Sequence, residues 1–133
     1  IRNEEVAKLA SEFAVQSEVR DYLFNIQRGF TAKGKGLIAD GRDMGTIVFP
    51  EAKHKFFITA SAEERARRRE NQLKESGLSV NMRILQKRIE DRDNKDSSRE
   101  ISPLIPAEDA VIIDSSQIGI YELKDKVLKL IRS

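Results

Sequence analysis

Apolar residues recur at helical spacing early in the chain, first as Val6, Leu9, Ala10 and Phe13, then as Val19, Leu23, Ile26 and Phe30. They predict two helices, the second with Ser17 as its N-cap. Residues 31–36 (TAKGKG) predict a loop. Leu37-Ile38-Ala39 stops at Asp40-Gly41, which predicts a buried strand over 37–40 and its exit turn. Ile47-Val48-Phe49 predicts a short extended piece ended by Pro50, and 55–59 predicts another strand. Ser61, with Glu64 placed for a capping box, opens a helix that Ser76-Gly77 ends. Its apolar stripe, Ala62, Ala66 and Leu73, is too thin for a core helix. A second helix is expected from about Ser79, with Met82, Leu85 and Ile89 on one side. Pro103 and Pro106 bracket an irregular stretch, and a buried strand follows over 110–113. The closing helix, Ile120 to Ile131, carries Leu123, Val127, Leu130 and Ile131. Strands alternating with helices predict an α/β fold with a parallel sheet. Three strands are few for a doubly wound sheet, and the first residue is Ile1, so the chain is expected to begin mid-sequence.

Composition narrows the function. The 133 residues make one domain or a piece of a larger one. Lys and Arg number 24 against 22 Asp and Glu, a net charge of +2, which disfavours a general nucleic-acid binder. An apolar content of 39% argues against wholesale disorder. The absence of Cys excludes disulfides and cysteine zinc sites. One histidine, His54, makes His-paired nucleophile chemistry unlooked-for; it is expected at the surface or a strand edge. Phe13, Phe24, Phe30, Phe49, Phe56 and Phe57 are expected to pack rather than to stack on bases. With no apolar run of membrane-spanning length and no signal peptide, a soluble cytoplasmic protein is expected.

In open α/β sheets, ligands sit beyond the carboxyl ends of the strands. The 37–40 segment delivers Asp40-Gly41-Arg42-Asp43-Met44-Gly45-Thr46 there. Gly41 and Gly45 permit a sharp turn or a close approach, and the Arg42 guanidinium suits a phosphate. The plainer alternative is a turn whose Arg and Asp pair with each other or with solvent. Residues 61–99 hold 8 of the 13 arginines. Arg88, Arg92, Asp96 and Arg99 fall near one helix face, away from Met82, Leu85 and Ile89. A solvated face of i,i+4 pairs would account for that face, but Arg92 before Asp96 is the less favourable order. A weakly anchored arginine-rich hairpin also suits a mobile lid over phosphates. Gly29, Gly34 and Lys35 match G-x-x-x-x-G-K, but Gly36 replaces the Ser/Thr and the stretch follows a helix rather than a strand. It reads as a flexible basic loop.

Four stretches carry a family resemblance: Gly36 to Ala52 (GLIADGRDMGTIVFPEA), Ala60-Ser61-x-Glu63-Glu64-Arg65-Ala66-x-Arg68-Arg69, Arg92-Asp93-x-x-Asp96-x-x-Arg99, and Ser102-Pro103-Leu104-Ile105-Pro106-Ala107. Together they resemble bacterial cytidylate kinase, as do the opening IRNEEV and the Ala10-Ser11…Val19-Arg20 stretch. The resemblance runs end to end. It implies transfer of the ATP γ-phosphoryl to CMP or dCMP with Mg²⁺, on a nucleoside-monophosphate-kinase fold, by a monomer; from charge and the lack of a long apolar run, no nucleic-acid or membrane partner is expected. It implies that residues 1–34 belong to the helical acceptor-binding region. Residues 35–133 would form the C-terminal part of the α/β core, with the lid at about 61–80. By the same resemblance Ser11, Arg20 and Asp43 contact the cytosine edge. Arg42, Arg92, Asp96 and Arg99 contact ribose and phosphate, the three arginines also serving catalysis. Arg65, Arg68 and Arg69 close over ATP.

The chemistry is compatible with those roles. Cytosine presents an N4 donor with N3 and O2 acceptors, which a carboxylate and an arginine complement. The family's phosphate loop and its central strand, between 37–40 and 55–59, have no counterpart in this sequence. The chain alone is therefore expected to fold poorly or to be inactive. The alternative from residue types is a nucleotide-binding or interaction module without transferase activity.

Overall fold

The computed structural model describes residues 4–34 and 36–133. Lys35 of the G-x-x-x-x-G-K match and the first three residues of IRNEEV lie outside the described residues. The elements run α1 (Glu4–Phe13), α2 (Ser17–Gly29), a 3₁₀ turn (Phe30–Lys33), a π-helical turn (Met44–Val48), β1 (Phe56–Thr59), α3 (Ala62–Glu75), α4 (Met82–Ser98), β2 (Val111–Asp114) and α5 (Ile120–Arg132).

The strand pair behaves as a parallel α/β sheet requires. β1 and β2 pair in parallel, Phe56 opposite Val111 and Thr59 opposite Asp114, with α3 and α4 forming the crossover. The expected strand over 37–40 is not formed. It has no hydrogen-bonded neighbour among the described residues, and Ile38 is wholly exposed. An apolar run becomes a strand only where a partner takes up its backbone groups. The 110–113 strand forms one residue later, and only Ile113 is buried while Ile112 is 63% exposed. No residue of α5 is buried, although its apolar residues sit where the pattern put them.

Several local expectations change for identifiable reasons. Ser17 is the first residue of α2 rather than its cap; Gln16 precedes it and makes no side-chain cap bond, while Ser17 Oγ donates to Glu18. The loop over 31–36 contains the 3₁₀ turn, which ends on Gly34 in the left-handed region. Ile47 and Val48 are in the π-helical turn, not extended, because their amides both reach back to the Asp43 carbonyl. Asn81, not Ser79, caps α4, its side chain accepting from the amides of Arg83 and Ile84. Among the phenylalanines only Phe49 is buried; Phe13 and Phe30 are about half exposed, at 51% and 49%.

The α3–α4 hairpin holds the buried apolar cluster, and here the expectation of a thin, coreless α3 is overturned. Ala66, Leu73 and Leu85 are buried together, with Val80, Met82 and Ile89 packed against them. Ala66 has so small a side chain that two helices can approach closely, so few apolar residues suffice. Burying Leu73 and Leu85 contributes about 1.5–3 kcal/mol each. Ser61 Oγ caps α3 by accepting from the Glu64 amide, as expected. The reciprocal half of the box is absent: Ser61 N donates to Ser116 Oγ, and Glu64 is held by Arg67 and Arg68. At the far end, Gly77 N donates to Lys74 O and Leu78 N to Leu73 O, with Gly77 at φ 76°. This Schellman closure needs a left-handed residue, which glycine supplies.

Two surface ion pairs tie distant segments together. Arg28 bonds Glu51 and the Val48 carbonyl, and Lys55 bonds Asp109 and the Pro50 carbonyl. The Arg28 hydrogen bond holds Glu51 below its ordinary pKa, and the Lys55 hydrogen bond does the same for Asp109. A depressed carboxylate pKa adds stability that is present above the unfolded value and is lost as pH falls through the folded one. The thermal midpoint should therefore stay level from neutral pH down to about 5 and fall below about 4, where these carboxylates protonate. A melting series across pH 3–7 checks this; a midpoint unchanged at pH 3 would show that neither pair matters.

Candidate active site

Asp96 is the centre of the site. It lies in the last turns of α4, and its side chain is only 5% exposed. A buried carboxylate must be compensated, and three arginines converge on it. Arg42 Nε donates to Asp96 Oδ2 at 2.9 Å. Arg99 Nη1 stands 3.6 Å from Oδ1, and Arg92 Nε stands 3.8 Å from Oδ2. Three guanidinium charges around one carboxylate leave the cluster with an excess of two positive charges. Arg42 and Arg92 remain 42% and 43% exposed, so both can turn to an incoming anion. The cluster can take up a phosphate dianion with little rearrangement.

The chain segments around this cage are fixed by backbone. Arg99 Nε donates to the Ser102 carbonyl at 2.7 Å, and Leu104 N donates to the Asp96 carbonyl at 2.8 Å. Ser102 is buried and takes φ 52°, a conformation a non-glycine residue rarely adopts. The Ser102-Pro103-Leu104 strap thereby closes the end of α4 and holds Arg99 in place.

Beside the cage, Arg20 of α2 forms an ion pair with Asp43 and donates from Nη1 to the Ala14 carbonyl. The side chain of Asp43 is 9% exposed. Asp43 directly follows Arg42, so the Arg20–Asp43 pair and the arginine cage share one short stretch of backbone. A cleft of about 690 Å³ opens between α1 and α4, lined by Ser11 on one side and by Arg92, Asp96 and Arg99 on the other.

The site thus brings together Ser11, Arg92, Asp96 and Arg99 in one cleft, joins Arg42 to them through Asp96, and pairs Arg20 with Asp43. The α3 arginines stand apart from that cleft. Arg65 makes a two-pronged contact with Asp93 and donates to the Ala60 carbonyl. Arg68 bonds Glu64, Ser115 and the Ile118 carbonyl, and Arg69 reaches Gln72. Arg65 and Arg68 therefore anchor α3 in this structure. Lys8, Arg88 and Lys95 also line the cleft and were not singled out as ligands from the sequence. Arg88 was visible on the basic face of its helix, but Lys8 carries no signal beyond its charge.

Comparison with known proteins gives the family. The family profile described as cytidylate kinase matches residues 1–133. A cytidylate kinase of Colwellia psychrerythraea is 56% identical over 128 residues, covering 96% of this chain and 56% of that protein. One from Methylococcus capsulatus is 51% identical over 133 residues, covering 100% of this chain and 60% of that protein. One from Salmonella choleraesuis is 49% identical over 132 residues, covering 99% and 58%. The chain thus spans a little over half the length of these relatives. With the profile matched from end to end, the chain belongs to the cytidylate kinase family.

Proposed function

We propose that this chain supplies the acceptor site of an enzyme that transfers the γ-phosphoryl group of ATP to CMP or dCMP. The observation that carries the reading is the cage of Arg42, Arg92 and Arg99 around buried Asp96, next to the Arg20–Asp43 pair. One feature suits a nucleotide's phosphate and the other suits its base. In this reading Asp43 accepts from cytosine N4, and Arg20 donates toward N3 or O2. Ser11 faces the same nucleotide across the cleft. Asp96 keeps acceptor capacity beyond its one short arginine bond, which suits a ribose hydroxyl.

Phosphoryl transfer asks mainly for positioning and for stabilisation of charge on the equatorial oxygens. Arg42, Arg92 and Arg99 would do both. The attacking phosphate is already an anion, so no general base of unusual pKa is required. Arg65, Arg68 and Arg69 would close over the donor, with Arg65 and Arg68 exchanging their present partners for phosphate oxygens. Mg²⁺ belongs to the family's chemistry. Among the described residues no group of three or more His, Cys, Asp or Glu could hold a metal, so these side chains do not by themselves fit the ion and no step is assigned to it.

The fold fits a nucleoside-monophosphate kinase in its parallel pair and its helical crossover. Residues 1–34 then form part of the acceptor-binding region. Residues 35–133 form the C-terminal part of the α/β core, with the lid at about 61–80. The unpaired 37–40 segment and the second edge of β1 suit a fold in which a further strand lies between them.

Calorimetric titration with CMP, using UMP and AMP as controls, tests the proposal. Selective CMP binding is expected. A folded chain that binds none of the three, or all three alike, would remove the acceptor-site reading.

A further inference from the structure

Among the described residues, three of the contacts that attach α3 to the rest of the molecule matter here. Leu73, near the hairpin turn, and Ala66, beside Arg65 in the first turns, cluster with Leu85 of α4. At its first turns Arg68 reaches Ser115, just beyond β2. Three residues earlier, Arg65 grips Asp93 of α4 through both guanidinium nitrogens, one of them at 2.9 Å from Oδ1. A planar fork on a carboxylate fixes orientation as well as distance, which a single hydrogen bond or an apolar contact does not.

The position of Asp93 gives this grip its interest. It directly follows Arg92, the loosest member of the phosphate cage, and lies one helical turn before Asp96. A dianion entering the cage would draw Arg92 inward and order the last turns of α4. A clasp on the adjacent residue would pass that order to the start of α3. Asp93 does not line the cleft, so it is placed to act through Arg65 rather than on a ligand.

We infer that Asp93 is a positioning residue that couples occupancy of the Asp96 phosphate cage to the ordering of the arginine-rich helix α3. The inference rests on the acceptor-site reading above. Through it, filling the acceptor site would set the helix proposed to cover the donor before the donor arrives, a coupling carried by ordering rather than by direct contact.

Hydrogen–deuterium exchange on the chain, with and without saturating CMP, tests it. In the wild type CMP should slow amide exchange in both α4 and α3, the latter by about 5-fold or more. In Asp93→Asn the slowing in α4 should persist and that in α3 should vanish. Asp93→Glu, which keeps the carboxylate, should restore part of it. Equal α3 slowing in wild type and Asp93→Asn would overturn the coupling and leave the acceptor site standing. So would CMP binding with no effect on α3 in the wild type. A wild-type chain that binds no CMP, or whose α3 amides exchange as freely as an unfolded peptide, would overturn both.

Discussion

Replacing Asp43 with alanine should erase most of the preference for CMP over UMP. Asp43 is buried, and among the described residues its side chain pairs with Arg20. A site built to accept from cytosine N4 confronts uracil O4 with a second acceptor, and it leaves buried polar groups unpaired. Sites of that kind discriminate by about 10⁴-fold when fully dry. Alanine removes the repelling acceptor as well as the attractive one, so the two affinities should approach within about tenfold of each other, the discrimination left to a site without a matched hydrogen bond. Asp43→Asn sharpens the test, because its amide can donate to uracil O4 and should push the ratio further toward UMP. The ratio of the two dissociation constants is the quantity to measure, since loss of the Arg20 partner affects both nucleotides alike. An unchanged ratio in Asp43→Ala would remove Asp43 from base recognition.

The second large effect should come from Asp96→Ala. Three guanidinium groups would then face one another with no carboxylate between them, and Arg99 is itself only 9% exposed. Removing one partner of a buried pair typically destabilises by about 3–5 kcal/mol, because the remaining charge is left uncompensated. The melting midpoint without ligand should fall by several degrees. Inorganic phosphate should recover more stability in the variant than in the wild type, because the anion replaces the missing charge. A midpoint within experimental error of the wild type would mean that the cage is solvated and that Asp96 does not organise it.

The sequence was most legible where local chemistry decides the outcome. Ser61 and Gly77 punctuate α3 as their residue types require, and the strand starting near Lys55 and the helix from Ile120 follow their apolar periodicity. It was least legible where a partner decides. Leu37-Ile38-Ala39 has the apolar signature of a buried strand, yet among the described residues no neighbouring strand reaches it. The opposite holds for α3: its stripe of Ala62, Ala66 and Leu73 is thin by itself, but α4 supplies Leu85 to complete a core with Ala66 and Leu73. The arginine cage was read as a helix face, and that placed Arg92, Asp96 and Arg99 together. Arg42 stood out on its own as a guanidinium suited to phosphate, but nothing in its position shows that it meets Asp96, 54 positions away in sequence. Asp93 stood in full view within the Arg92–Arg99 motif, but nothing in one dimension shows that Arg65 is opposite it.

The π-helical turn at Met44–Val48 has a bearing on how such a protein can change. The Asp43 carbonyl accepts from Ile47 N at 2.9 Å, from Val48 N at 3.1 Å and from Thr46 Oγ1 at 3.4 Å. Phe49 N closes the turn on Met44 O at 2.7 Å. Hydrogen bonds from both ends thus close the turn, and the segment works as a gauge of fixed length. Deleting one residue would convert it to an ordinary helical turn and swing whatever precedes it by about 100°, the rotation per residue of a helix. Asp43 can be exchanged for another side chain without disturbing that gauge, whereas an insertion or deletion cannot occur without re-aiming it. If Asp43 reads the base as proposed, a new preference at this position has to come by substitution, and the length of the segment should be the more slowly changing property.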